Sequence, residues 1–172
     1  MEKNIKNISE LFKLILAEQL TAEKKYLKIF QKLSKSIVTD ELKSAISPDA
    51  TAIQDHLSRL SRALATVKHK QQAKLSPVDE ELLNGINTTI TVNRGQSLLK
   101  DIHLLHALKM IFNIKVARYD SLYLMAAALG EEEHSIVLEQ CSKDNRNTSS
   151  YLDQIAQNII YPSAAKQTTT SE

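Results

Sequence analysis

Residues 98–130 read LLKDIHLLHALKMIFNIKVARYDSLYLMAAALG, and the spacing of their apolar side chains decides the fold. Leu98, Ile102, Leu105, Leu108, Phe112, Lys115, Tyr119, Leu122, Ala126 and Leu129 recur in steps of three and four, one face of a single long helix. Gly130 is well placed to end it. Glu131, Glu132 and Glu133 then open a further helix with the stripe Leu138, Cys141, Asn145, Thr148, Leu152, Ile155, Ile159.

The N-terminal half repeats the pattern. Ile8, Phe12, Ile15, Gln19, Glu23, Tyr26, Phe30, Leu33 and Ile37 predict a helix over 5–37. Ser47-Pro48-Asp49 reads as a serine cap with proline at the first helical position, starting a second helix with the stripe Ala50, Ile53, Leu57, Leu60, Leu64, Val67. Residues 40–46 precede it as a turn of helix or as the same helix kinked at Pro48. Ser76-Pro77 repeats the signal and opens a short helix over 77–91, and Asn93-Arg94-Gly95 is a turn. Four long amphipathic helices bury their apolar faces most economically against one another. The expectation is an all-α, ferritin-like antiparallel four-helix bundle over 1–161, with a short extra helix in the link between helices two and three. The tail, 162–172, has no periodicity and is expected to be disordered.

Composition agrees. The 172 residues contain three glycines and three prolines, against roughly 12% for the two together in average usage, too few for the tight turns of a sandwich or barrel. Gly85, Gly95 and Gly130 are too far apart to build a dinucleotide fingerprint or a phosphate-cradling loop. A formal charge of +2 gives no electrostatic case for nucleic acid or a membrane surface. No stretch approaches the length of apolar sequence needed to span a bilayer, and the N-terminus lacks the apolar core of a secretory signal. One cysteine, Cys141, excludes a disulfide framework. These features point to the cytoplasm.

Function in a bundle lies where polar side chains enter the core. Gln19 and Glu23 interrupt the first stripe, Lys115 the third, and Asn145, with Asp144 beside it, the fourth. With registered helix ends, Glu23, Lys115, Asp144 and Asn145 meet in one central layer. The alternative is that Glu23 and Lys115 snorkel to the bundle edge. The second helix offers no carboxylate near its midpoint; His56 and Gln54 flank its stripe and Asp49 lies at its start. Glu131-x-x-His134 has the spacing used by di-iron bundles but sits in a first turn without a partner motif. His103-x-x-His106 supplies two imidazoles, which alone do not make a metal site. Cys141, on the inward face, reads as an inert core thiol.

Ala22-Glu23-Lys24, the helix around Leu60, Asp101-x-x-Leu104 through Tyr119-Asp120-Ser121-Leu122, and Leu138 to Leu152 match in order and spacing a known group. By them the chain resembles the YciE/YciF-type ferritin-like family, bacterial four-helix proteins linked to stress response and of unknown activity. The resemblance implies a di-metal centre whose helix-one glutamate is Glu23. The family's helix-two His-x-x-Glu falls on Asp49 and Ala52, its helix-three Glu-His-Tyr-Glu on Phe112, Asn113, Ile114 and Lys115, and its helix-four Glu-Glu on Asp144 and Asn145. Few carboxylates remain, and an ammonium occupies a ligand position, where it repels a metal ion. The resulting expectation is a non-catalytic bundle without a cofactor, a structural or interaction protein related to stress response. The alternative is an iron or manganese oxidoreductase or storage protein with an altered site built from Glu23, Asp49, His56 and Asp144. Leu14, Leu27, Leu104 and Met110, apolar residues beyond a single stripe, suggest a homodimer.

Overall fold

The computed structural model describes residues 5–68, 73–92 and 97–169. The four bundle helices are α1 (Ile8–Leu33), α3 (Ile53–Thr66), α5 (Leu98–Ala128) and α6 (Glu132–Ile155), with the short helix α2 (Asp40–Ala45) before α3 and a further helix α4 (Pro77–Val92), slightly longer than α3, in the link from α3 to α5. Among the described residues there is no strand. The expected turn at Asn93-Arg94-Gly95 lies outside the described residues.

Side-chain chemistry sets the helix ends. Asn7 caps α1, its Oδ1 accepting from the Glu10 N–H at 2.9 Å. Ser97 caps α5 through the Lys100 N–H. The α5–α6 corner is a Schellman motif: Gly130 has φ +75°, its N–H reaches the Ala127 carbonyl, and the Glu131 N–H reaches the Ala126 carbonyl. Asp101, fully buried in the first turn of α5, reaches across to accept from Thr39 N–H at 2.8 Å and Thr39 Oγ1 at 2.6 Å, holding the N-terminus of α2.

The expected start of the second helix at Pro48 is corrected. Ser47 Oγ does accept from Ala50 N–H at 3.2 Å, but residues 47–52 form only a turn, because Ala52 adopts a left-handed conformation (φ 50°) that no α-helix continues through. The helix begins at Ile53, leaving Ala50 exposed, and its buried face carries His56 while Leu57 is half-buried.

The disorder expected over 162–172 is not observed over 162–169, and residues 170–172 lie outside the described residues. Helix α6 runs through a π-helical turn, Ala156–Ile160, into α7 (Tyr161–Thr169). The wider turn shifts hydrogen bonding to the fifth residue back, just where Pro162 lacks an N–H and its ring crowds the preceding turn. Buried Ala156 and Ile160 anchor the junction.

The core is two apolar clusters. One contains Tyr26, Phe30, Ile53, Leu108, Phe112 and Leu152. The other contains Phe12, Leu16, Leu60, Tyr119, Leu138 and Cys141. Following each helix from one cluster to the other gives the topology. Helices α1 and α6 run one way, and α3 and α5 the other. Parallel α3 and α5 require the long crossover that carries α4, the arrangement of ferritin-like bundles.

Candidate functional site, a buried polar layer

Each long helix passes between the two clusters at a polar residue. On α1 these are Gln19 and Glu23, on α3 His56, on α5 Lys115, on α6 Asn145, and all five are fully buried. Lys115 Nζ stands 3.0 Å from Glu23 Oε2. The approach is off the directions that a hydrogen bond needs, since neither atom has a hydrogen-bond partner. The contact is therefore between charges, and the ammonium also lies 5.1 Å above the centroid of the Phe112 ring. Phe112 stacks in turn on Phe30, with centroids 5.6 Å apart. The other oxygen of Glu23 is well served, accepting from Gln19 Nε2 at 3.0 Å and Tyr119 Oη at 2.9 Å.

His56 connects this centre to the surface. Its Nε2 is 3.2 Å from Asp144 Oδ2, its Nδ1 is 3.8 Å from Glu23 Oε1, and its ring meets Tyr119 edge-on. Burial first, then the positive charge of Lys115, lowers the imidazole pKa below its usual 6.5. At neutral pH the ring is uncharged and donates Nε2–H to Asp144. Its Nδ1 then faces the carboxylate of Glu23 as a bare lone pair. Asp144 sits at the edge with its side chain 21% exposed, paired with Arg59 at 3.1 Å. Burial pushes its carboxyl up, but hydrogen bonds from Gln140, His56 and Arg59 outweigh that and hold it below its ordinary value. Asn145 donates Nδ2–H to the Cys141 carbonyl at 2.6 Å, leaving Oδ1 without a partner. Among the described residues, the buried side-chain atoms with no hydrogen-bond partner are Glu23 Oε2, His56 Nδ1, Lys115 Nζ and Asn145 Oδ1, and all belong to this layer. Burial raises the Cys141 thiol to about 11, so it is not a nucleophile.

Of the residues proposed from sequence, the structure brings Glu23 and Lys115 together. Asp144 joins them only through His56, and Asn145 makes no hydrogen bond to either. Asp49 is exposed in the 47–52 turn, before the left-handed Ala52 and outside α3, so that assignment is corrected, and of Asp49 and His56 only His56 reaches the layer. Leu104, expected on the outer surface, is fully buried, and Leu27 packs against the core.

A second polar group was not anticipated. Asp79, fully buried on α4, pairs with Arg118 at 2.6 Å and accepts from Ser76 Oγ at 2.6 Å and from Tyr26 Oη. Arg118 also donates to Ser76 Oγ at 2.7 Å and reaches Gln19 Oε1 at 3.5 Å, joining this group to the central layer. Its sequence signal was Ser76-x-x-Asp79, a capping-box spacing in which the acid has a second use.

A di-metal centre of the ferritin-like kind needs about four carboxylates and two histidines converging between four helices. Here one buried carboxylate, one imidazole and an ammonium converge instead, and Phe112 fills adjoining space. Among the described residues no group of three or more His, Cys, Asp or Glu side chains is placed to hold a metal ion. The residues do not fit the group.

A family profile described as a domain of unknown function (DUF892) matches residues 7–165. The chain belongs to that family. Within DUF892 it is similar to protein YciF of Escherichia coli K12, with 19% identity over 157 residues, 91% of this chain and 95% of that one. The solved structure of the E. coli stress protein YciF superposes with a TM-score of 0.80 at 20% identity, covering 90% of this chain and 97% of that one. YcfI of Rhodopseudomonas palustris, a candidate structural protein, gives a TM-score of 0.80 at 16% identity over 89% and 97% of the two chains. At such identities the likeness establishes a shared fold.

Proposed function

We propose that this DUF892 chain is a non-catalytic ferritin-like bundle in which an internal ion pair stands where a di-metal centre would be. Its role is then structural or interactive, within a stress response. The observation that carries this reading is Lys115 Nζ, 3.0 Å from Glu23 Oε2 with both side chains fully buried. A tethered ammonium neutralises the interior carboxylate and repels a divalent cation from the same place. The stress-related role is supported by the names of the two relatives, one a stress protein and one a candidate structural protein.

The reading includes a homodimer in the cytoplasm. Leu99, Leu124 and Ile136, each more than half exposed, support an interface. Among the described residues no helix is long and apolar enough to cross a membrane. Sedimentation at micromolar concentration is expected to give twice the chain mass; a monomer removes this part of the proposal.

The test of lost metal chemistry is direct. The chain is expressed in iron- and manganese-supplemented medium, purified without chelator, and its metals quantified. Far less than one equivalent of iron or manganese per chain is expected. One or two equivalents of either would overturn the reading in favour of an oxidoreductase or storage protein.

A further inference from the structure

The exposed side of α5 carries no charge. The charged residues of this helix, Lys100, Asp101, Lys109, Lys115, Arg118 and Asp120, are all buried or half-buried. Three of them pair with other helices, Lys109 with Asp153, Arg118 with Asp79 and Asp120 with Arg146. The helices packed beside it differ. The exposed side of α1 presents Lys24, Lys25, Lys28 and Lys32, and that of α6 presents Glu132, Glu133, Lys143 and Arg146. A helix that met only water along 31 residues would carry such charges outward.

In its first half the exposed residues are Leu99, His103, His106 and Met110. In its second half they are Asn113, Ala117, Ser121 and Leu124, ahead of two alanines at the end. At 100° per residue these eight fall within an arc of about 80°, a straight stripe about 37 Å long and about 10 Å wide. The two ends are the most open, Leu99 being 67% and Leu124 58% exposed. Such a stripe falls short of the roughly 800 Å² that each partner buries in a standard interface. Beside its first half, Val78, Leu82 and Ile86 of α4 extend the apolar surface across the groove that His103, His106 and Met110 line.

The stripe is complementary to its own reverse. With a two-fold axis at the level between Ile111 and Phe112, Leu99 comes opposite the partner's Leu124, His106 opposite the partner's Ala117 and Met110 opposite the partner's Asn113. His103 comes within one residue of the partner's Ser121. Each imidazole thus meets a small side chain, and bulk on one half fills the shallow half of the other copy. Parallel packing would set imidazole against imidazole and alanine against alanine, crowding one end and leaving a gap at the other.

We propose that this uncharged face of α5 is the interface of a homodimer in which the two copies of α5 pack antiparallel. This rests on the homodimer proposed above and is independent of the ion pair in the bundle centre.

The full chain and its variants are compared by sedimentation over a range of concentrations. The native chain is expected to be a dimer at micromolar concentration. Ala117→Arg should raise the dissociation constant about a hundredfold or more, since the symmetry places the buried charge in the interface twice. Lys28→Ala, on the exposed side of α1, should leave it unchanged. Both positions are exposed, so both variants should keep the native helical circular dichroism. Orientation is read by electron paramagnetic resonance from nitroxides on Leu99→Cys and, separately, on Asn113→Cys, each with Cys141→Ala. Antiparallel packing predicts dipolar broadening at 113, where the labels come within about 15 Å, and a separation of about 35–40 Å at 99. A monomeric native chain would remove the homodimer and this proposal together. A dimer that Ala117→Arg leaves intact would overturn this interface while the homodimer stands, and broadening at both positions would overturn the antiparallel packing.

Discussion

His56 has an acid on either side of it and is nevertheless uncharged at neutral pH. The groups that face it are Glu23 from α1, Lys115 and Tyr119 from α5, and Asp144 from α6, with Arg59 next to Asp144 on its own helix. Removal from water opposes the imidazolium, the ammonium opposes it further, and the two carboxylates only partly compensate. Because the folded pKa lies below the unfolded value, the unfolded chain binds the extra proton first as pH falls. The contribution of neutral His56 is therefore present above about pH 6.5 and is lost as pH drops through the lowered folded pKa. Urea unfolding should show stability decreasing from pH 7.5 towards 5, and His56→Gln should flatten that slope. An unchanged slope in the variant would assign the effect to other groups. Tyr119 shows the same physics with the opposite sign: burial, then the charge of Glu23, raises its phenol well above the ordinary value, so it remains a donor to Glu23.

Helix α4 is tied to the bundle by one buried charge as well as by its apolar face. Leu83 and Ile86 are buried, but Asp79 links α4 to Arg118 of α5 and Tyr26 of α1. Asp79→Asn would leave the guanidinium without its counter-charge. A loss of about 2–3 kcal/mol is expected, below the 3–5 kcal/mol seen when both partners are fully buried, because Arg118 reaches solvent. Amide exchange should show α4 losing protection before α1 or α5. Equal protection would mean that its apolar side chains alone hold it. The helices themselves were readable from sequence, since periodicity depends on which side chains leave water, and the tertiary fold removes the same faces. Two junctions were not. Ala52 adopts a left-handed backbone that its side chain does not announce, so the second helix starts five residues after Pro48 and Asp49, unlike His56, stays outside the layer. The π turn was missed for another reason: Pro162 reads as a helix stop, whereas a wider turn before it lets the helix continue.

At the scale of the whole molecule, the polar layer divides one core into two, and every unpartnered buried polar side-chain atom among the described residues lies in that division. An apolar replacement for the pair would cost little, because desolvating two charges offsets most of their attraction. Removing one partner is different: it leaves the other charge buried and alone. Sequence located Glu23 and Lys115 at one level because both interrupt apolar stripes near helix midpoints. It did not locate Asp79 and Arg118, whose partnership depends on how the crossover returns along the bundle. The central claim is that Lys115 neutralises Glu23 in the interior. The measurement that tests it is urea unfolding at pH 7 of Lys115→Met, Glu23→Gln and the double variant. Lys115→Met should lose about 3–5 kcal/mol. The double variant should recover part of that loss, with a coupling of about 1–3 kcal/mol between the two sites. Native stability of Lys115→Met, or strictly additive losses in the double variant, would contradict it.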